Sequence, residues 1–272
     1  MSRIAATFSR LQVSGTTALI PFMTAGHPHP DHTVALMHGM VAAGANLLEL
    51  GVPFSDPMAD GPVIQRANEL ALEFHVTLDD VLSMVQQFRQ QDATTPVILM
   101  GYLNPIEVMG YERFAAAAAA AGVDGVITVD LPPEEGVPLL DALQPYAIDT
   151  IYLIAPTTNP ARIAKIAAVA SGFIYYVSMK GITGAGGLDF AAVEAAITGL
   201  RQQTTLPLGV GFGIKSGTTA AAMAAFADAV VVGSALVEKL MQGWESSATE
   251  ESLLALAQSF IRELRAAMDG QL

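Results

Sequence analysis

Eight short and almost uniformly apolar runs recur along this chain, separated by stretches with helical periodicity, and that alternation restricts the fold more than any single motif. The runs are Ala18–Met23, Leu47–Gly51, Val97–Met100, Gly125–Val129, Thr150–Ile154, Phe173–Val177, Pro207–Val210 and Ala229–Val232. A strand that is apolar at nearly every position is buried on both faces, the condition of a parallel sheet covered by helices. Between the runs, Asp31 reads as the cap of a helix reaching Ala43. Thr77 caps a second, with Leu78, Val81, Leu82, Val85 and Phe88 at helical spacing. Asn159 and Asp189 read as caps of two more. Eight repeats without a break in composition favour a closed ring over an open doubly wound sheet, so the expected fold is a (β/α)8 TIM barrel. An extra helix from Ser2 to about Leu11 precedes the first strand, and a long amphipathic helix, Glu250 to Met268, follows the last. No linker interrupts the sequence, and residues 1–272 read as one domain.

Composition narrows the chemistry. The 13 Lys and Arg are outnumbered by 26 Asp and Glu, a formal charge of −13. That balance is opposite to a nucleic-acid binder's and unsuited to anionic membranes. With no cysteine, thiolate nucleophiles, disulfides and Cys-ligated metals are excluded. No apolar run approaches the roughly 18 residues of a spanning helix. The N-terminal residues, with Arg3 and Arg10, lack the apolar core of a signal peptide, so a cytoplasmic location is expected.

Barrels of this kind gather their chemistry at the C-terminal ends of the strands. Phe22, Glu49, Tyr102, Asp130, Ile154, Tyr175, Gly211 and Gly233 therefore come under scrutiny. Glu49 stands out because it lies within a strand. Alternation turns Leu48 and Leu50 to one face and Leu47, Glu49 and Gly51 to the other. Both faces are dry, and no basic residue lies between Arg10 and Arg66 to pair with it. An apolar site raises a carboxyl's pKa, making Glu49 a proton donor as well as an acceptor near neutral pH. The loop that follows, Pro53 to Pro62, is shaped by three prolines and carries Asp56 and Asp60. Asp56 before Pro57 fits a turn; Asp60 would bring a second carboxylate back over Glu49, completing an acid–base pair.

Three glycine-bearing segments follow the last three strands: Gly181 to Gly187, Gly211 to Gly217, and Gly233-Ser234 heading a helix. Backbone N–H groups at helix N-termini bind anions, and barrels often hold phosphate near strands seven and eight. Competing motifs fail. A P-loop needs Gly directly before its Lys, where this chain has Ile214, and a dinucleotide fingerprint from Gly209 or Gly211 lacks its third Gly. His27, His29 and His32 are separated by Pro28 and Pro30 and form no closed ligand set, so no metal is expected. The four lysines sit on helices (Lys165, Lys239) or in loops (Lys180, Lys215), not in a strand where a Schiff base would form.

The stretch Leu48-Glu-Leu-Gly-Val-Pro-Phe-Ser-Asp-Pro-Met-Ala-Asp-Gly-Pro62, continuing from Ile64 to Asn68, resembles the signature of the tryptophan synthase α subunit family. Phe22 to Gly26, Met100 to Pro105, Asp130 to Pro132, Gly181 to Gly184 and Gly211 to Ile214 agree in the same order. The resemblance implies retro-aldol cleavage of indole-3-glycerol phosphate to indole and glyceraldehyde 3-phosphate, without a cofactor in this chain. It places catalysis on Glu49, for proton transfer, and Asp60, for the charge developing on the indole nitrogen. It implies an indole pocket of Phe22, Met100, Tyr102, Val129, Ile154, Tyr175, Thr183, Gly211 and Phe212, and a phosphate site of Gly184, Gly213, Gly233 and Ser234. It also implies an α2β2 complex whose β subunit carries pyridoxal phosphate, docking around Pro53, Asp56, Pro57 and Asn104. Two positions depart from the pattern: Ser178-Met179-Lys180, where some members carry Arg and Ser, and His27, where an acidic residue is frequent. The rival expectations are a stand-alone indole-3-glycerol phosphate lyase, a non-catalytic phosphate-binding regulatory subunit, and another sugar-phosphate barrel such as an isomerase.

Overall fold

The computed structural model describes residues 2–178, 189–211, 213–246 and 249–270. Its strands are β1 (Ala18–Thr24), β2 (Leu48–Gly51), β3 (Val97–Gly101), β4 (Gly125–Thr128), β5 (Asp149–Thr150), β6 (Tyr152–Ile154), β7 (Ile174–Val177), β8 (Leu208–Gly211) and β9 (Ala229–Val232). All pair in parallel, in the order β5-β4-β3-β2-β1-β9-β8-β7-β6. The two ends of that order, β5 and β6, are consecutive in the chain and separated by Ile151, whose N–H donates to the Val126 carbonyl at 3.0 Å. The sheet therefore returns on itself through one continuous segment, and the expected barrel is found.

Alternation sorts the strand residues into two layers. Leu19, Leu48, Leu50, Leu99, Val126, Tyr152, Ile154, Ile174, Val210 and Val230 pack outward against the helices. Ala18, Ile20, Leu47, Ile98, Ile127, Ile151, Phe173, Tyr175, Ala229 and Val231 fill the interior. The helix Arg3–Ser14 closes the N-terminal end, adding Ile4, Phe8 and Leu11 to that interior cluster. It is tied down where Arg3 and Arg89 both grip the buried Asp124, at 2.8 and 2.6 Å. With the bottom plugged, the open mouth is at the strands' C-terminal ends.

The helix caps follow the sequence at three of four expected places. Thr77 and Asp80 form a reciprocal capping box, Asn159 accepts from the Arg162 N–H, and Asp189 accepts from the Ala192 N–H. Asp31 does not cap. It sits inside a 3₁₀ turn, Pro30–His32, with the His29 side chain accepting from its N–H, and the α-helix begins only at Thr33. Two helices were not expected, Pro62–Glu73 after β2 and Leu103–Met109 after β3. Both begin on the mouth side of their strands, the first directly after residues 52–61 and the second one residue beyond β3. Among the described residues no helix is long and apolar enough to cross a membrane.

Candidate active site

Glu49 occupies the middle of β2, opposite Phe22 of β1 and Ile98 of β3 in the strand register. Its flanking leucines pack outward, so its carboxyl points into the barrel, as alternation requires. It is 1% exposed, and its Oε2 has no hydrogen-bond partner among the described residues. Burial, with a contribution from Asp60, pushes its pKa up to about 8. Tyr175, also inside the barrel, is pushed well above the usual tyrosine range by burial first and then by Glu49. At neutral pH Glu49 is therefore a neutral acid holding a transferable proton.

Asp60 reaches the site through the proline-shaped loop after β2. Its N–H donates to the Pro57 carbonyl at 3.1 Å, and its own carbonyl accepts from Gln65 Nε2 at 2.9 Å. Pro62 then starts the next helix, where its missing N–H costs nothing. The Asp60 carboxylate accepts from the Tyr102 hydroxyl at 3.2 Å, and that hydroxyl accepts from the Ala59 N–H at 2.9 Å. Burial raises the Asp60 pKa while the Tyr102 hydrogen bond holds it down.

Around these carboxyls the interior is apolar. Phe22 clusters with Ala67 and Val237, with Met100 packed beside them. Met100 and Val129 also pack on the interior cluster that holds Tyr175. Gly211 is required by its neighbour: a Cβ there would strike the Tyr175 hydroxyl and lie 2.6 Å from its Cε2. Ile154 does not join this wall. The ring turns it outward, into the layer under the helices, and its neighbour Leu153 faces the interior. Tyr152, Leu153 and Ile154 are all apolar in character, so the sequence carried no polar mark to fix the face. Leu153 is the interior position that sequence reasoning missed.

At the ends of the last two strands the two helix N-termini differ. The helix Gly217–Ala224 satisfies its own N-terminus through a Ser216–Thr219 capping box. The helix Ser234–Glu245, by contrast, begins at Gly233 with no side-chain cap, at the C-terminal end of β9. Gly233 lies against Phe22, whose ring would meet a Cβ at Gly233 at 3.4 Å, so this helix end borders the strand position beside Glu49. Gly213 has φ +78°, a conformation that favours glycine. Thr183, Gly184 and Phe212 lie outside the described residues.

Of the residues expected to face a partner, Asp56 and Asn104 are exposed and Pro57 is partly so. Pro53 is buried within the chain, so the accessible part of that loop begins beyond it. The three histidines do not converge on a shared point. His27 is fully buried, whereas His29 and His32 pack around Trp244, their ring centroids 5.7 and 5.9 Å from it. Among the described residues no three His, Cys, Asp or Glu are grouped to hold a metal.

Residues 8–268 match the family described as tryptophan synthase alpha chain. The chain is 57% identical over 269 residues to the tryptophan synthase alpha chain of Thioalkalivibrio sulfidiphilus, covering 99% of this chain and 100% of that one. It is 58% identical over 268 residues to that of Chromobacterium violaceum, covering 98% and 100%. The solved structure of tryptophan synthase subunit alpha from Legionella pneumophila str. Paris aligns with a TM-score of 0.92 at 46% identity, covering 99% of each chain. A ring of parallel strands with a buried carboxyl at its mouth, matched along almost its whole length by these relatives, belongs to the tryptophan synthase alpha chain family.

Proposed function

We propose that Glu49 and Asp60 together carry the α reaction of this family, the cleavage of indole-3-glycerol phosphate to indole and glyceraldehyde 3-phosphate. The supporting observation is the pairing of a neutral, fully buried Glu49 with an Asp60 held by Tyr102. Protonated Glu49 gives its proton to C3 of the indole ring, which makes the ring a leaving group. Asp60 accepts the indole N–H and stabilises the positive charge that forms on that nitrogen. As the C–C bond breaks, the glycerol hydroxyl on the departing carbon loses its proton to Glu49 and becomes the aldehyde. One proton enters at carbon and one leaves from oxygen, so Glu49 ends as it began.

In this reading the indole lies among Phe22, Met100, Val129, Leu153 and Tyr175. The phosphate is held by the uncapped N-terminus at Gly233-Ser234, with Gly213 and the segment containing Gly184. The chemistry needs no cofactor in this chain. The indole passes to a β subunit that carries pyridoxal phosphate, in an α2β2 assembly docked over Asp56, Pro57 and Asn104. Transfer between subunits suits an apolar product that would otherwise escape into the cytoplasm.

The test is indole release from indole-3-glycerol phosphate by the purified chain, with and without a pyridoxal-phosphate β subunit. Slow release alone, rising sharply with β and lost in Glu49→Gln, is the expected result. Fast release indifferent to β points to a stand-alone lyase. No release under either condition removes the catalytic reading and leaves a phosphate-binding barrel.

A further inference from the structure

Tyr102 is 4% exposed and makes contacts that a pocket wall does not need. Its ring stacks on Phe54, with centroids 5.0 Å apart and planes 27° from parallel. Its hydroxyl receives the Ala59 N–H at 2.9 Å and meets Asp60 Oδ2 at 3.2 Å. A phenol has one proton to give. Because the Ala59 N–H already points into an oxygen lone pair, that proton is directed at Asp60. The donor therefore bonds to the ionised carboxylate, the form that accepts an indole N–H.

One side chain on the β3 edge thus fixes three positions of the β2 loop: residues 54, 59 and 60. The other hydrogen bonds of Asp60 hold only its backbone: its N–H donates to the Pro57 carbonyl and its carbonyl accepts from Gln65 on the next helix. Nothing else among the described residues orients its carboxylate by a hydrogen bond.

We propose that Tyr102 is a positioning residue for Asp60, holding that carboxylate ionised and aimed at the indole nitrogen, and that its aromatic surface is secondary. This rests on the role given to Asp60 above. The directional effect follows: the Tyr102 bond opposes the burial that raises the Asp60 pKa. Removing the hydroxyl leaves burial unopposed and also strips the Ala59 N–H of its acceptor.

The experiment is Tyr102→Phe assayed with the β subunit present, measuring kcat and KM for indole-3-glycerol phosphate across pH. The expected result is a kcat lowered about tenfold or more, corresponding to about 1.4 kcal/mol. KM should stay within about threefold, and the acidic limb of the kcat profile should move to higher pH. Replacing Tyr102 by a fluorotyrosine, a stronger donor of the same shape, should move that limb the other way, and it tests the proposal even if Tyr102→Phe folds poorly. A rise in KM with kcat and the acidic limb unchanged would make Tyr102 a wall residue and overturn the proposal, as would no effect at all. Asp60→Asn, measured in parallel, separates the two levels. If it retains full activity, the role of Asp60 itself fails. If it is inactive while Tyr102→Phe is normal, only the role of Tyr102 fails.

Discussion

The role proposed for Glu49 sets function against stability at one carboxyl. Its usual pKa is 4.5, and in the fold it rises to about 8, so at pH 7 the unfolded chain has released a proton that the folded chain retains. A raised carboxyl pKa means folding is disfavoured as pH climbs from 4.5 towards 8. At pH 7 the penalty is roughly 3 kcal/mol, from about 1.4 kcal/mol for each of the two and a half intervening units. Gln keeps the shape and cannot ionise. Glu49→Gln should lower kcat by a factor of about 10²–10⁴ and raise resistance to urea at pH 7, with the gain gone at pH 4. Equilibrium unfolding at the two pH values checks this; equal stability of wild type and variant at pH 7 would show that Glu49 is not held neutral. This residue could be read from sequence because it is the only charge in an apolar run. Ile154 could not, because its neighbours carry no contrast and only ring closure decides which of them turns inward.

At the scale of the element, the same contrast separates what was legible from what was not. Strands were located because short runs of apolar residues between turn signals have few uses other than as strands buried on both faces. The Thr77 helix was legible because a hydroxyl cap, an acidic first turn and apolar spacing all agree. Asp31 carried an equally good capping side chain, yet Pro28 and Pro30 bring the chain in as a 3₁₀ turn and the first helical turn forms two residues later. The helix Pro62–Glu73 was missed because it follows directly on the proline-shaped loop, and Leu103–Met109 because Pro105 stands in its first turn and only Tyr102 separates it from β3. Thr77 offers a test of element stability at a residue whose side chain bonds to Asp80 and to neither of the proposed catalytic carboxyls. Its hydroxyl accepts from the Asp80 N–H at 3.3 Å, and the Asp80 carboxylate accepts the Thr77 N–H at 2.9 Å. Thr77→Ala should destabilise the chain by about 1 kcal/mol and leave kcat and KM unchanged. A thermal melt together with the indole assay checks both halves.

The whole molecule carries a second buried titratable group that works against the first. His27 is 0% exposed, both ring nitrogens lack hydrogen-bond partners among the described residues, and burial drives its pKa from 6.5 to about 4. The folded chain therefore keeps His27 neutral while the unfolded chain takes up a proton below pH 6.5. Stability from this group is complete above 6.5 and falls as pH drops towards 4, by roughly 3 kcal/mol at the limit. Glu49 has the opposite slope from 4.5 to 8, so the two oppose each other between about 4.5 and 6.5. Above 6.5 His27 no longer titrates and Glu49 acts alone. Between these two groups, stability should change little from pH 5 to 6.5 and then decline towards pH 8. In Glu49→Gln the Glu49 slope disappears, so relative to the wild type the variant should gain stability progressively from pH 4.5 to 8. Unfolding free energies at half-unit intervals for both proteins distinguish the two shapes. Parallel curves would mean that Glu49 does not titrate between its unfolded and folded values, and the neutral acid on which the proposed chemistry depends would be lost with it.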